Sequence, residues 1–254
     1  MNFLHGICFA VTKVIPIILS GGAGSRLWPV SRRMHPKPFI EVAGKPLLAH
    51  ALERASLISG EAIIVTNQDH YFLTEKLLKQ TPKALKVSYL LEPKGRNTAP
   101  AIALAVRHVQ KAYGDGAVCL VLAADHLISD YAAFKKAVGQ AAEQARAGNL
   151  VVFGIRPTSP ETGYGYLEVA AAGDAAQSLK SFVEKPDSAA AERYLAEGRY
   201  YWNTGMFCFT TGIIAENLAE HASDVWAASE VAFAHAQEDK GVTRFEETSF
   251  IAQP

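Results

Sequence analysis

The run from Val14 to Pro38, V-I-P-I-I-L-S-G-G-A-G-S-R-L-W-P-V-S-R-R-M-H-P-K-P, places glycines and cations where they could act on a polyphosphate. A short apolar stretch, Val14 to Leu19, opens through Ser20 into a loop with Gly21, Gly22 and Gly24. Arg26 follows at once, and Lys37 lies between Pro36 and Pro38. Glycines let backbone N–H groups approach phosphate oxygens with no Cβ in the way. A guanidinium and an ammonium just beyond them can neutralise phosphate charge. Arg26 and Lys37 are therefore the first catalytic candidates, for phosphoryl or nucleotidyl chemistry.

Two commoner glycine loops are excluded. No Gly-Lys-Ser or Gly-Lys-Thr follows at Walker spacing. A dinucleotide fingerprint starting at Gly22-x-Gly24 would need a small residue at position 27, and Leu27 stands there. The plain structural alternative is a tight strand-to-helix turn beside a basic surface. Arg26 and Pro-Lys-Pro tip the reading toward function.

Asp125 ends the apolar run that starts at Val118. A carboxylate at the end of a buried strand is where a hard cation would sit. A turn cap is the alternative. His126 reads as structural, because a phosphate nucleophile needs little acid–base help. Such a transfer asks for in-line positioning and charge neutralisation.

These residues must be positioned by regular elements. Strand signals fall at Val14–Leu19, Ala62–Thr66, Lys86–Leu91, Ala117–Ala123 and Leu150–Ile155, with helical stretches near Pro46–Leu57, His70–Gln80, Ala99–Tyr113 and Tyr131–Ala147. Pro46 suits a helix start, Asp130 an N-cap and Gly148 a helix stop. The alternation predicts an α/β fold: a Rossmann-like doubly wound sheet, mixed but mainly parallel, flanked by helices. Ligands of such sheets lie beyond the strands' carboxyl ends, where Gly21, Glu92 and Asp125 would converge. Farther on, Tyr164–Ala170, Ser178–Glu184 and Tyr201–Thr210 read as strands, residues 170–176 as a hairpin turn and residues 214–240 as helical. Residues 1–13 read as an N-terminal extension, 14–155 as a nucleotide-binding half and 156–254 as a half for the second substrate.

With 254 residues and 49% hydrophobic content, the chain suits one large α/β domain. Its 25 basic and 25 acidic residues balance, which argues against nucleic-acid or membrane partners. Cys8, Cys119 and Cys208 have neither metal-ligand nor disulfide-framework spacing, so a reducing cytoplasmic setting is expected.

Six ordered motifs carry a resemblance that runs from about Val14 to the end. L-S-G-G-A-G-S-R-L-W-P resembles the signature loop of the sugar-1-phosphate nucleotidyltransferases, and Trp28-Pro29 with His35-Pro-Lys-Pro38 resembles the mannose-1-phosphate guanylyltransferases among them. Glu92-Pro-Lys-Gly-Arg-Asn-Thr-Ala-Pro100, Ala124-Asp-His126, Gly163-Tyr-Gly-Tyr166, Phe182-Val-Glu-Lys-Pro186 and Trp202-Asn-Thr-Gly-Met-Phe207 follow in order. The bacterial type, often fused to a mannose-6-phosphate isomerase domain, is the most similar subfamily. The resemblance implies transfer from GTP to α-D-mannose 1-phosphate, giving GDP-mannose and pyrophosphate.

It also implies a nucleotide site of Leu19, Ser20, Gly21, Gly22, Gly24, Ser25, Glu92, Arg96 and Asn97. Arg26 would meet the leaving pyrophosphate, and Asp125 would hold Mg²⁺. The sugar phosphate would meet Gly165, Glu184, Lys185, Asn203 and Thr204. For Glu184 and Lys185 a surface ion pair is the alternative, for Asn203 and Thr204 an ordinary core hydrogen bond, and for Thr98 a helix cap. Ser25 replaces the family's usual Thr and keeps the hydroxyl. In the family a second Asp follows the region matching Phe245–Pro254, so the resemblance implies a truncated or shortened chain here and a homo-oligomer for the full-length form. Alternative functions are thymidylyl or uridylyl transfer, or nucleotide binding with weak catalysis.

Overall fold

Strand Val14–Ser20 (β1) is apolar at nearly every position because both of its faces are covered. The computed structural model describes residues 13–22, 27–32, 35–81, 85–95, 97–173 and 175–251. After β1 come a two-stranded ribbon, Glu41–Val42 (β2) and Lys45–Pro46 (β3), and helix Leu47–Ile58 (α1). Strand Glu61–Asn67 (β4), helix Tyr71–Lys79 (α2), strand Lys86–Glu92 (β5), helix Thr98–Tyr113 (α3), strand Val118–Ala123 (β6) and helix Tyr131–Arg146 (α4) complete the alternation. Then follow Val151–Ile155 (β7), Tyr166–Val169 (β8), Leu179–Val183 (β9), helix Ser188–Glu197 (α5) and the long strand Tyr200–Thr210 (β10). The chain ends through Thr211–His221 (α6), Ser223–Ala234 (α7), Gln237–Asp239 (β11), Val242–Arg244 (β12) and Glu247–Ile251 (α8).

The main sheet runs β11-β12-β5-β4-β1-β6-β10-β8-β9, with β7 also paired to β10. Its centre, β12-β5-β4-β1-β6, is parallel, and β10 joins β6 antiparallel. The expected mixed, doubly wound sheet is thus observed. The four parallel strands β5-β4-β1-β6 reverse their winding between β1 and β6, which makes that gap the topological switch point.

Alternation along the strands divides the core. Ile18, Ile64, Leu120 and Leu122 pack with α1 and α4; Ile17, Val65, Cys119 and Val121 pack with α3 and α6. The Asp130 side chain accepts from the Ala133 N–H at 2.9 Å and caps α4 as expected. Asn97, not Thr98, occupies the cap position of α3; Thr98 is the first helical residue.

One element differs from expectation. The helical stretch predicted over 214–240 ends at Ala234, and the residues after it form the β11–β12 hairpin. Lys240 and Gly241 both take positive φ, 46° and 81°, between the paired Asp239 and Val242. A two-residue turn of that kind matches strand twist, but Lys-Gly is a weaker sequence signal for it than Asn-Gly. The hairpin carries β12 to β5, so the last strand borders the first half of the fold.

Candidate active site

The carboxyl ends of β1, β4, β5 and β6 assemble one floor. The Leu19 carbonyl accepts from Ala124 N–H at 3.1 Å, which extends the β1–β6 ladder by one rung and sets Asp125 beside Ser20. Thr66 Oγ1 donates to the Ser20 carbonyl at 3.3 Å. A Cβ on Gly21 would stand 3.5 Å from Glu92 Oε2, so the glycine loop passes directly over that carboxyl. Gly22 continues the loop at the surface. Gly24, Ser25, Arg26 and Arg96 lie outside the described residues.

Glu92 is 2% exposed, and its Oε1 has no hydrogen-bond partner among the described residues. Burial alone pushes its pKa up to about 7. Ser20 Oγ is likewise buried and unpartnered. Buried polar atoms are normally satisfied, so two orphans under a glycine loop point to a ligand with polar edges. Asn97 is exposed nearby in sequence, and its side chain makes no capping bond.

Lys37 reaches across the switch point. The turn Lys37–Phe39 is pinned by buried Pro38 and Phe39, and the lysine Nζ donates to Asp125 Oδ2 at 2.6 Å. Burial works against the Asp125 charge, but the Lys37 bond and charge outweigh it and hold the carboxyl below its ordinary range. His126 Nε2 stands 4.0 Å from Asp125 Oδ1. Its pKa is lowered, chiefly by burial, which suits the structural role expected of it.

The other expected residues gather at the same end of the sheet. β10 is antiparallel to β6 with Phe207 opposite Val121, so Asn203 and Thr204 lie toward the level of Asp125. Asn203 N–H donates to the Gly165 carbonyl at 2.8 Å. A Cβ on Gly165 would come within 2.6 Å of the Phe182 ring and 3.0 Å of Glu184 Oε2. Glycine is needed there for close approach, which keeps Gly165, Glu184 and Asn203 together. Glu184 and Lys185 form an exposed ion pair at 3.0 Å, the surface alternative weighed for them.

Asn203 Oδ1 accepts from Gly205 N–H, and Thr204 Oγ1 both donates to the Phe153 carbonyl and accepts from Met206 N–H. Those atoms serve the irregularity where β10 shifts register against β7. For Thr204 the core hydrogen bond is therefore what is seen.

Two residues on α1 escaped the sequence reading. Arg54 is fully buried and donates to the His126 carbonyl at 2.7 Å; Glu53 binds Lys45 and the Tyr131 hydroxyl. A signal existed: Arg54 lies seven residues after buried Leu47 and three after buried Ala51, on the apolar stripe of the helix.

A glycine loop at the switch point of a doubly wound sheet, with a lysine–aspartate pair across it, is a frame for handling nucleoside phosphates. The nucleotidyl transferase family model matches residues 15–246, and the chain belongs to that family. The chain is 45% identical over 249 residues to the xanthan biosynthesis protein XanB of Xanthomonas campestris pv. campestris strain B100, covering 96% of this chain and 52% of that protein. It is 44% identical over 244 residues to the mannose-1-phosphate guanylyltransferase RfbM of Salmonella typhimurium strain LT2, covering 94% and 51%. The chain thus spans about half the length of the curated relatives it matches. A Helicobacter pylori structure described as mannose-6-phosphate isomerase superimposes with a TM-score of 0.81 at 30% identity, over 95% of this chain and 89% of that one.

Proposed function

We propose that the chain transfers a guanylyl group from GTP to α-D-mannose 1-phosphate, releasing pyrophosphate. The observation that carries this reading is the Lys37–Asp125 pair at the switch point, together with the buried Glu92 under Gly21, whose Oε1 has no hydrogen-bond partner among the described residues. The name of the Salmonella relative supports the choice of substrates.

A phosphate oxygen of the sugar phosphate attacks the α-phosphorus, the new P–O bond forms, and the bond to the β-phosphate oxygen breaks. Pyrophosphate leaves with the electron pair. Lys37 holds phosphate charge as the nucleotide draws its ammonium away from Asp125, and Arg26 meets the charge that grows on the leaving group. Glu92 accepts from the N1–H and 2-amino donors of guanine, an edge adenine does not offer. The glycine loop brings the nucleotide over it.

The donor set fits Mg²⁺ in one form. Asp125 is a single ionised carboxylate, and among the described residues no group of three or more His, Cys, Asp or Glu could hold a metal. Mg²⁺ commonly binds through one or two carboxylates plus substrate phosphates and water, so Asp125 would take a Mg²⁺ that arrives with the nucleotide. Such an ion would neutralise charge on the phosphate oxygens.

On the sugar side, an exposed ion pair such as Glu184–Lys185 is worth at most about 1 kcal/mol. A sugar phosphate can therefore open it, with Lys185 taking the phosphate and Glu184 a hydroxyl. Gly165 and Asn203 frame that end. Cys119 and Cys208 are free and buried, which supports a cytoplasmic setting. No helix of the described residues is long and apolar enough to cross a membrane.

The test is pyrophosphate release over a matrix of GTP, ATP, UTP and dTTP against mannose 1-phosphate and glucose 1-phosphate. GTP with mannose 1-phosphate should dominate. Preference for another pair would reassign the substrates, and GTP binding without release from any pair would leave only a binding module.

A further inference from the structure

Arg54 is the largest fully buried side chain among the described residues. It shares the buried stripe of α1 with Leu47, Ala51 and Leu52. A guanidinium in such a place normally faces a carboxylate. Here its hydrogen bonds run to two backbone carbonyls, His126 at 2.7 Å and Ala123 at 3.4 Å, while Nε has no partner among the described residues. These two carbonyls bracket Ala124 and Asp125. The neighbouring Glu53 accepts from the Tyr131 hydroxyl at 3.0 Å. Consecutive residues of α1 thus grip both ends of the segment from 123 to 131.

The same helix seats the other cation. Phe39, at the end of the Lys37 turn, packs in one cluster with Leu48, Ala51 and Leu52, and Leu47 N–H donates to the Ile40 carbonyl at 3.0 Å. Both partners of the 2.6 Å Lys37–Asp125 pair therefore rest on α1.

Burying a charge costs several kcal/mol unless it is well paired. An apolar residue of similar length would fill this core position without that cost. It would also take away the donors that Arg54 gives to the carbonyls of Ala123, the last residue of β6, and of His126 in the loop beyond it.

We propose that Arg54 is a positioning residue, holding the backbone on either side of Asp125 so that its carboxylate faces Lys37 and the incoming metal. The proposal rests on the reading of Asp125 as the carboxylate that takes Mg²⁺. Charge and position predict opposite signs here. Removing a cation near the metal should tighten metal binding by electrostatics alone, whereas releasing the loop should weaken it.

The experiment compares Arg54→Met, Arg54→Lys and Asp125→Asn. Mn²⁺ binding to the GTP-loaded protein is followed by electron paramagnetic resonance, alongside melting temperature and metal-free GTP affinity. Asp125→Asn should weaken Mn²⁺ binding. Arg54→Met should weaken it too, by about tenfold or more, the usual scale for groups that orient a metal ligand. Arg54→Lys should fall between, since an ammonium keeps the charge but cannot span both carbonyls. In the Arg54 variants, GTP affinity without metal should change far less than Mn²⁺ affinity.

If Asp125→Asn weakens Mn²⁺ binding while the folded Arg54 variants do not, Arg54 is only a core residue and the proposal fails. Tighter binding in Arg54→Met would likewise overturn it. Should Arg54→Met not fold, Arg54→Lys decides alone. Unchanged binding in Asp125→Asn would instead refute the metal reading on which the proposal stands.

Discussion

Lys37 and Asp125 are 88 residues apart in sequence and bonded in space at 2.6 Å. Each was legible as a candidate because a local run announces it: a Pro-flanked lysine, and a carboxylate ending an apolar strand. That they bond follows only from the strand order, which no local run encodes. Lys37→Ala should lower kcat far more than it raises the KM for GTP, since phosphate charge is reorganised in the transition state. Loss of one such stabiliser costs about 3–4 kcal/mol, on the order of a hundredfold or more in rate. A kcat within a few-fold of wild type, measured by pyrophosphate release, would remove Lys37 from the machinery.

Glu92 makes a second prediction at this scale. Its pKa is raised by burial from 4.5 to about 7, so the unfolded chain releases this proton first as pH rises. Stability should therefore fall between pH 4.5 and 7 and level off above, by about 3 kcal/mol from this group. Glu92→Gln should abolish that slope in urea titrations. Guanine donors favour the ionised carboxyl, so GTP affinity of the wild type should rise through pH 7, and the glutamine variant should show no rise. A variant that kept both pH dependences would show that another group carries them.

At the scale of elements, the parallel strands β1, β4, β5 and β6 were readable almost to the residue because each carries an apolar, buried run. β1 was expected at Val14–Leu19 and is Val14–Ser20; β6 was expected at Ala117–Ala123 and is Val118–Ala123. The β11–β12 hairpin was not readable, since three-residue strands of mixed polarity follow an alanine-rich helix without a turn signal of the usual type. Arg54 was passed over because an arginine on a helix is ordinarily a solvated cation.

The missed hairpin leads to α8, whose Phe250 is fully buried against Phe245 in the cluster below α3. Phe250→Ala should destabilise by about 3–5 kcal/mol, the range for deleting a buried aromatic ring. Equilibrium urea unfolding measures this directly. A loss below about 1 kcal/mol would be the behaviour of a frayed terminal helix.

The whole molecule is tied together by strands that cross between its halves. β10, from the second half, lies against β6, and β12 returns to the far edge to pair with β5. Of the residues proposed for the site, Ser20, Glu92 and Asn203 sit on strands of that one sheet, and Asp125 follows two residues after the end of β6. Binding energy at the site is therefore shared by the entire fold. The chain should melt in a single transition, and GTP with Mg²⁺ should shift all of it. At ligand about one hundred times Kd, linkage gives about 2.7 kcal/mol. For a domain of this size each kcal/mol is worth about 2–4 °C, so Tm should rise by about 5–10 °C. Calorimetry with and without ligand, with Mg²⁺ alone as a further sample, makes the comparison. Mg²⁺ alone should shift Tm little, because Lys37 already compensates Asp125 and the metal lacks the phosphates that complete its shell. Two transitions, only one of them moved by GTP, would show that the halves fold independently despite the shared sheet. A full shift with Mg²⁺ alone would mean that the protein itself supplies the metal site, contrary to the reading of Asp125 as a single carboxylate waiting for a nucleotide-borne ion.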